Sequence, residues 1–221
     1  MREILANYGN FKRGRTSGIK YIVLHYTANN GDTAQNNGMY FKNNIVGASA
    51  HYFVDEKEVI RSVKENDTAW HCETRGMAFK NDCRNNNSIG IEMCSRIDKS
   101  GKFYILEDTL YNAAVLTVSL MKKYNVPIKN VIRHFDVCGK MCPKPLVLDI
   151  NLWYKFKDMV KKLEAGAMVR DIYISLNGKV KAVKSINLDG YNYVKLRDLE
   201  DERIKVSFDE KNNVPVVRCV L

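Results

Sequence analysis

Tyr21-Ile22-Val23-Leu24-His25-Tyr26-Thr27-Ala28 places four consecutive strand-type residues directly ahead of a histidine. The run reads as a buried β-strand that delivers His25 at its edge. A rigid strand end is a good place to hold a chemical group. Far downstream, Arg133-His134-Phe135-Asp136-Val137-Cys138-Gly139-Lys140-Met141-Cys142-Pro143 sets a histidine and a cysteine eight residues apart across a loop rich in turn formers. Imidazole nitrogen and thiolate sulfur are donors that zinc takes in a tetrahedral shell, and two protein donors alone hold it poorly. His25 is the candidate third donor beside His134 and Cys142, which leaves the fourth position open to water, as in catalytic zinc sites. By residue type alone, the same residues also fit a hydrogen-bonded core histidine and an inert buried thiol.

Around these stretches the chain alternates strands and helices. Ala34 to Asn44 is a candidate helix despite Gly38, and His51 to Asp55 with Glu58 to Val63 read as a hairpin about Glu56-Lys57. Ser88 to Cys94 alternates as a strand, with Ile89 and Ile91 on one face and Ser88, Gly90 and Glu92 on the other. Leu110, Ala113, Ala114, Thr117, Leu120, Met121 and Tyr124 recur at helical spacing within Leu106 to Tyr124, which Asn125-Val126-Pro127 ends. Val131 to Arg133 is a short strand, and Asn151 to Glu164 is an amphipathic helix with Trp153, Phe156, Val160 and Leu163 inward. The expected fold class is α/β, a central mixed sheet flanked by helices.

Five segments taken in order carry a resemblance: Ile22 to Ala28, Ala50-His51-Tyr52-Phe53-Val54, Thr68-Ala69-Trp70-His71-Cys72, Ser88 to Cys94, and Arg133-His134 through Cys142-Pro143. Together they resemble the type 2 N-acetylmuramoyl-L-alanine amidases, a family that includes phage and prophage endolysins and is similar to animal peptidoglycan recognition proteins. The resemblance covers residues 1 to 163 and implies zinc bound by His25, His134 and Cys142. It implies a reaction in which water activated by the metal cleaves the amide between the lactyl group of N-acetylmuramic acid and L-alanine of the stem peptide. Glu92 stands at the family's acidic position, where a carboxylate accepts the water's proton and passes it to the amine. Lys140 matches a basic residue that would stabilise the oxyanion.

His51, Trp70 and His71 are implied to line the substrate groove, with domain packing as the alternative for each. Relatives with a tyrosine beside the metal carry it where this chain has Ala50, which shifts proton transfer onto Glu92. Asp136 is a candidate partner orienting a ligand. Cys138, four residues before Cys142, competes with it as the sulfur donor. Family branches that lack the cysteine bind wall fragments without cutting them, so a non-catalytic peptidoglycan-binding module is the rival reading.

The chain of 221 residues is long enough for one full domain and a small second one. Its net charge of +10 divides as +8 over residues 1–166 and +2 over 167–221. A basic surface attracts polyanions, whether nucleic acid, anionic lipid or anionic wall polymers such as teichoic acid, and charge alone does not choose among them; no helix-turn-helix, zinc-finger spacing or clustered basic helix supports nucleic-acid binding. No stretch has the form of a signal peptide or the length of a transmembrane segment, so the expectation is a cytoplasmic protein until lysis, without membrane insertion. Cysteines 72, 83, 94, 138, 142 and 219 lack the short spacings of a disulfide framework and are expected as free thiols.

The domains expected are a catalytic domain over 1–164, a linker over 165–169 and a small β-rich α+β domain over 170–221. Asn177-Gly178 and Asp189-Gly190 are hairpin turns between apolar runs at Ile172 to Leu176, Val180 to Val183, Ile186 to Leu188 and Tyr191 to Val194. A helical turn or two in Leu196 to Glu202 and strands at Ile204 to Phe208 and Val214 to Val220 complete it. Ile186 to Leu199 resembles the copper amine oxidase N-terminal-like domain of bacterial envelope proteins. It contains no histidine, so copper is not implied; a wall-targeting role comes first, with a structural or homo-oligomerising role behind it.

Overall fold

Among the described residues, ten strands lie before residue 134: β1 (Arg2–Glu3), β2 (Phe11–Lys12), β3 (Tyr21–Tyr26), β4 (Tyr52–Val54), β5 (Val59–Arg61), β6 (Thr68–Ala69), β7 (Ser88–Met93), β8 (Arg96–Ile97), β9 (Phe103–Tyr104) and β10 (Val131–Arg133). In this computed structural model, residues 1–74, 76–166, 169–188, 191–210 and 214–220 are described. Six of the strands form one sheet in the order β1-β5-β4-β7-β3-β10. It is mixed, because β4 and β5 run antiparallel while β3 is parallel to both of its neighbours. The other four strands make two small antiparallel pairs, β2 with β6 and β8 with β9.

β3 sits inside the sheet, and its successive residues Ile22, Val23 and Leu24 are all fully inaccessible. Because side chains alternate across a strand, both faces of the sheet must be covered there, which explains a continuous rather than an alternating apolar run. Helix α1 (Ala34–Asn43) lies against β4 and β5, and α2 (Glu107–Tyr124) lies against β3, β4 and β7. The α2 residues at helical spacing are buried from Leu110 to Met121. The helix stops where Asn125 turns left-handed, with φ 52°, and its N–H closes onto Met121 O.

The segment from His134 to Cys142 departs from the expected loop. His134–Cys138 is a five-residue helix, α3, followed by a left-handed Gly139 and then α4 (Lys144–Leu148). Asp136 caps it, accepting from Arg133 N at 2.9 Å and pairing with both Nε and Nη2 of the Arg133 guanidinium. Helix α5 (Ile150–Glu164) buries Trp153, Phe156, Val160 and Leu163 as its spacing predicts.

Two compact units divide the chain, Met1–Lys161 and Lys162–Leu221. In the second, β11 (Arg170–Leu176) turns through Asn177-Gly178 into β12 (Lys179–Leu188), which pairs with β13 (Tyr191–Val194). β12 is one ten-residue strand rather than two short ones: Lys184 and Ser185 keep the ladder, pairing with Asp171 and Arg170. The expected Asp189-Gly190 turn lies outside the described residues. A 3-10 turn at Leu196–Leu199 leads to the hairpin of β14 (Ile204–Asp209) and β15 (Val214–Cys219). Among the described residues, no helix is long and apolar enough to cross a membrane.

Candidate active site

Strand register assembles the site. On one side of β3, His25 is opposite Glu92 of β7. On the other side β10 ends with Arg133 opposite Leu24, so the next residue, His134, arrives beside His25. The return of the chain is pinned where Phe135 N donates to Cys142 O at 2.8 Å, which brings the cysteine back under the histidines.

The outcome is a cluster of three buried donors: one ligand atom each from His25, His134 and Cys142 lies within 4.8 Å of the other two. Among the described residues, no fourth histidine, cysteine or carboxylate joins them. His25 Nδ1 is 3.6 Å from Cys142 Sγ. A tetrahedral zinc with bonds of about 2.0 Å to nitrogen and 2.3 Å to sulfur needs these atoms about 3.5 Å apart. His134 Nδ1 is buried and has no hydrogen-bond partner, while its Nε2 meets Thr74 Oγ1 at 3.0 Å. An unpaired buried nitrogen is costly unless something else occupies its lone pair. The donor set, spacing and orphaned nitrogen therefore fit zinc.

The electrostatics of the two histidines agree. Burial first, and then mutual repulsion with His134, hold His25 well below the ordinary imidazole range; burial and Lys140 hold His134 down at about 4. Both rings are neutral at pH 7 and can donate lone pairs without first losing a proton. Burial, followed by the nearby Glu92, pushes the Cys142 thiol up to about 12, opposed by a Tyr26 backbone hydrogen bond and by Lys140.

A cavity of about 320 Å³ opens against the cluster, and Trp70, His71, Glu92 and Lys140 line it with His25 and Cys142. Glu92 Oε2 is buried and without a hydrogen-bond partner. Burial pushes this carboxyl up to about 8, with Lys140 pulling it down. A cleft with an uncommitted carboxyl, an ammonium and three metal donors is equipped for hydrolysis of a polar bond.

A family model described as N-acetylmuramoyl-L-alanine amidase matches residues 14–145, a span that holds all three donors, Glu92 and Lys140. The chain belongs to the N-acetylmuramoyl-L-alanine amidase family. It is 32% identical over 202 residues to the amidase CwlL of Bacillus licheniformis, covering 88% of this chain and 55% of CwlL. It is 37% identical over 167 residues to BlyA of Bacillus subtilis (strain 168), covering 70% of this chain and 44% of BlyA. The chain thus spans about half the length of these curated relatives. The structure of PlyL superposes with a TM-score of 0.60 at 30% identity, covering 72% of this chain and 96% of that one. The catalytic domain of XlyA superposes with a TM-score of 0.58 at 29% identity, covering 72% and 97%.

Within this amidase fold the remaining sequence candidates separate. Trp70 stands half-buried in the cavity wall, held by reciprocal backbone and side-chain bonds with Ser49. His51 does not reach the cavity: it is fully buried, its Nδ1 accepts from Gly90 N at 3.0 Å, and its Nε2 faces Arg15 and Asp67 O. Asp136 orients no ligand, because Arg133 and the start of α3 take its oxygens. Cys138 packs with Val23, Cys72, Cys83 and Val137, outside the donor cluster, so the sulfur in that cluster is that of Cys142. Thr74 and Ser88 are the residues that sequence reasoning missed. Ser88 was visible only as a strand hydroxyl, and nothing in the pattern marked Thr74.

Proposed function

We propose that the chain is a zinc-dependent N-acetylmuramoyl-L-alanine amidase of endolysin or autolysin type. It cleaves the amide joining the lactyl group of N-acetylmuramic acid to L-alanine of the peptidoglycan stem peptide. The observation that carries this reading is the convergence of His25, His134 and Cys142 beside a cavity that Glu92 and Lys140 also line. His25, His134 and Cys142 would hold zinc, which would supply a Lewis acid and lower the pKa of a water molecule towards neutrality.

Glu92, ionised with the help of Lys140 and the bound cation, would accept the water's proton, and its inner oxygen has no competing donor. The water's oxygen bonds to the lactyl carbonyl carbon, and the Lys140 ammonium balances the charge that gathers on the carbonyl oxygen. Glu92 then returns the proton to the alanine nitrogen as the C–N bond breaks, leaving a lactyl carboxylic acid and an amine, which exchange one proton to become carboxylate and ammonium. The indole of Trp70 offers the cavity a flat apolar face suited to a sugar ring or stem residue. The second unit is assigned to retention on the wall, where anionic polymers would meet the basic surface.

Cys142→Ser tests the central claim. It should lose bound zinc, measured by elemental analysis, and should release no muropeptide cleavage products detectable by mass spectrometry. A zinc-replete, fully active variant would mean that the sulfur donor has been misassigned.

A further inference from the structure

We propose that His71 is a positioning residue that holds ligand His25 in its metal-binding tautomer, through a one-way proton chain running to the Arg84 carbonyl. The inference rests on the zinc reading above, and it moves His71 from the substrate groove to a supporting role. Ser88 Oγ has one proton and donates it to Arg84 O at 2.6 Å. At 3.1 Å from His71 Nε2 it can then only accept, so the imidazole carries its proton on Nε2. His71 Nδ1 is therefore bare and accepts from His25 Nε2–H at 3.0 Å. That places the lone pair of His25 on Nδ1, the nitrogen facing Cys142 Sγ. A backbone carbonyl cannot donate, so the direction of the whole chain is set at its far end.

The surroundings are built to keep His71 in place. Its backbone N–H donates to Asn85 Oδ1 at 2.9 Å, and its ring meets His25 edge-on with centroids 5.1 Å apart. Across from it, β7 has a glycine: a Cβ at Gly90 would lie 2.6 Å from His71 Cγ. An added methyl would have to push the ring off His25. Packing alone would explain the fit of the ring, but not the alignment of three consecutive hydrogen bonds. Outer partners of this kind carry roughly 10- to 100-fold in metal affinity.

The test compares the full chain with His71→Phe and His71→Asn, measuring zinc affinity by competition with a chromophoric chelator. Phenylalanine keeps the ring and removes the acceptor; the asparagine amide oxygen can stand where Nδ1 was. His71→Phe should lose about 10- to 100-fold in affinity, and His71→Asn should keep most of it, although both variants lose packing in the zinc-free state. Equal affinity for His71→Phe and the parent overturns the proposal, as does an asparagine variant as weak as the phenylalanine one. Nitrogen-15 spectra of the zinc-free parent provide a check without any variant: the His25 proton should be on Nε2, and a proton on Nδ1 overturns the proposal. A parent that takes up no zinc would instead overturn the functional reading and this inference with it, so the two failures are distinguishable.

Discussion

Glu92 faces two opposed influences whose separation can be measured. Burial raises its pKa to about 8, and Lys140 acts in the opposite direction. In the metal-free protein the native state therefore keeps a proton that the unfolded chain gives up near 4.5, the ordinary value. The stability tied to this group is complete below that lower value and declines as pH rises towards about 8. Glu92→Gln, which cannot ionise, should escape that decline. In thermal melts of the metal-free proteins, its advantage over the parent should grow from pH 5 to pH 8; a constant difference would show that Glu92 ionises freely. Lys140→Met removes the cation that favours the carboxylate. In the zinc-loaded enzyme it should lower kcat and shift the acid limb of the kcat/KM profile to higher pH. An acid limb that stays in place would remove either Lys140 or Glu92 from the proton-transfer step.

At the scale of elements, α3 and the turn after it extend a strand end into two members of the three-donor cluster, His134 and Cys142. Gly139 ends α3 at φ 87° and ψ −1°, with its N–H on Phe135 O at 2.8 Å. An L side chain resists that conformation, so Gly139→Ala should cost on the order of 1 kcal/mol in denaturant unfolding. It should also weaken zinc binding, because Cys142 follows three residues later; unchanged stability and affinity together would show that the turn tolerates another geometry. This turn also marks where sequence stopped being legible. The run Ile22 to Leu24, the α2 spacing and the inward face of α5 declare themselves because burial is periodic over many residues. A five-residue helix spans little more than one turn, too short for any period, and it is held by Arg133 and Asp136, whose pairing depends on the fold. The unbroken β12 likewise hid its continuity, because Lys184 and Ser185 are polar and only their cross-strand partners keep them in the ladder. That His25, His134 and Cys142 could share one ion was legible from residue type and resemblance, whereas Thr74 and Ser88 are tied in by hydrogen bonds that leave no spacing in the chain.

The molecule as a whole joins a unit that holds all the candidate site residues to a second, smaller one. Solved amidase-family structures match 72% of the chain, close to the extent of the first unit, Met1–Lys161. In the second unit, register puts Tyr173, Val180, Ile186 and Tyr193 on one face of the β11-β12-β13 sheet, and all four are exposed. Tyrosines standing on an open sheet offer flat, amphipathic surfaces of the kind that contact sugars and polymers. If this unit retains the enzyme on the wall, removing it should affect a tethered, polymeric substrate and spare a soluble one. A chain ending at Gly166 keeps α5 entire and all the metal donors. Its kcat/KM on a soluble muropeptide should stay close to that of the full chain, while sedimentation with purified walls and the rate of wall clearing should both fall. Replacing Tyr173 and Tyr193 by alanine in the full chain should reproduce part of the sedimentation loss, because that change leaves the rest of the unit intact. Equal losses on the soluble and the insoluble substrate would instead identify residues 167–221 as a structural support of the catalytic unit, and adsorption would then have to come from the basic surface of the first unit.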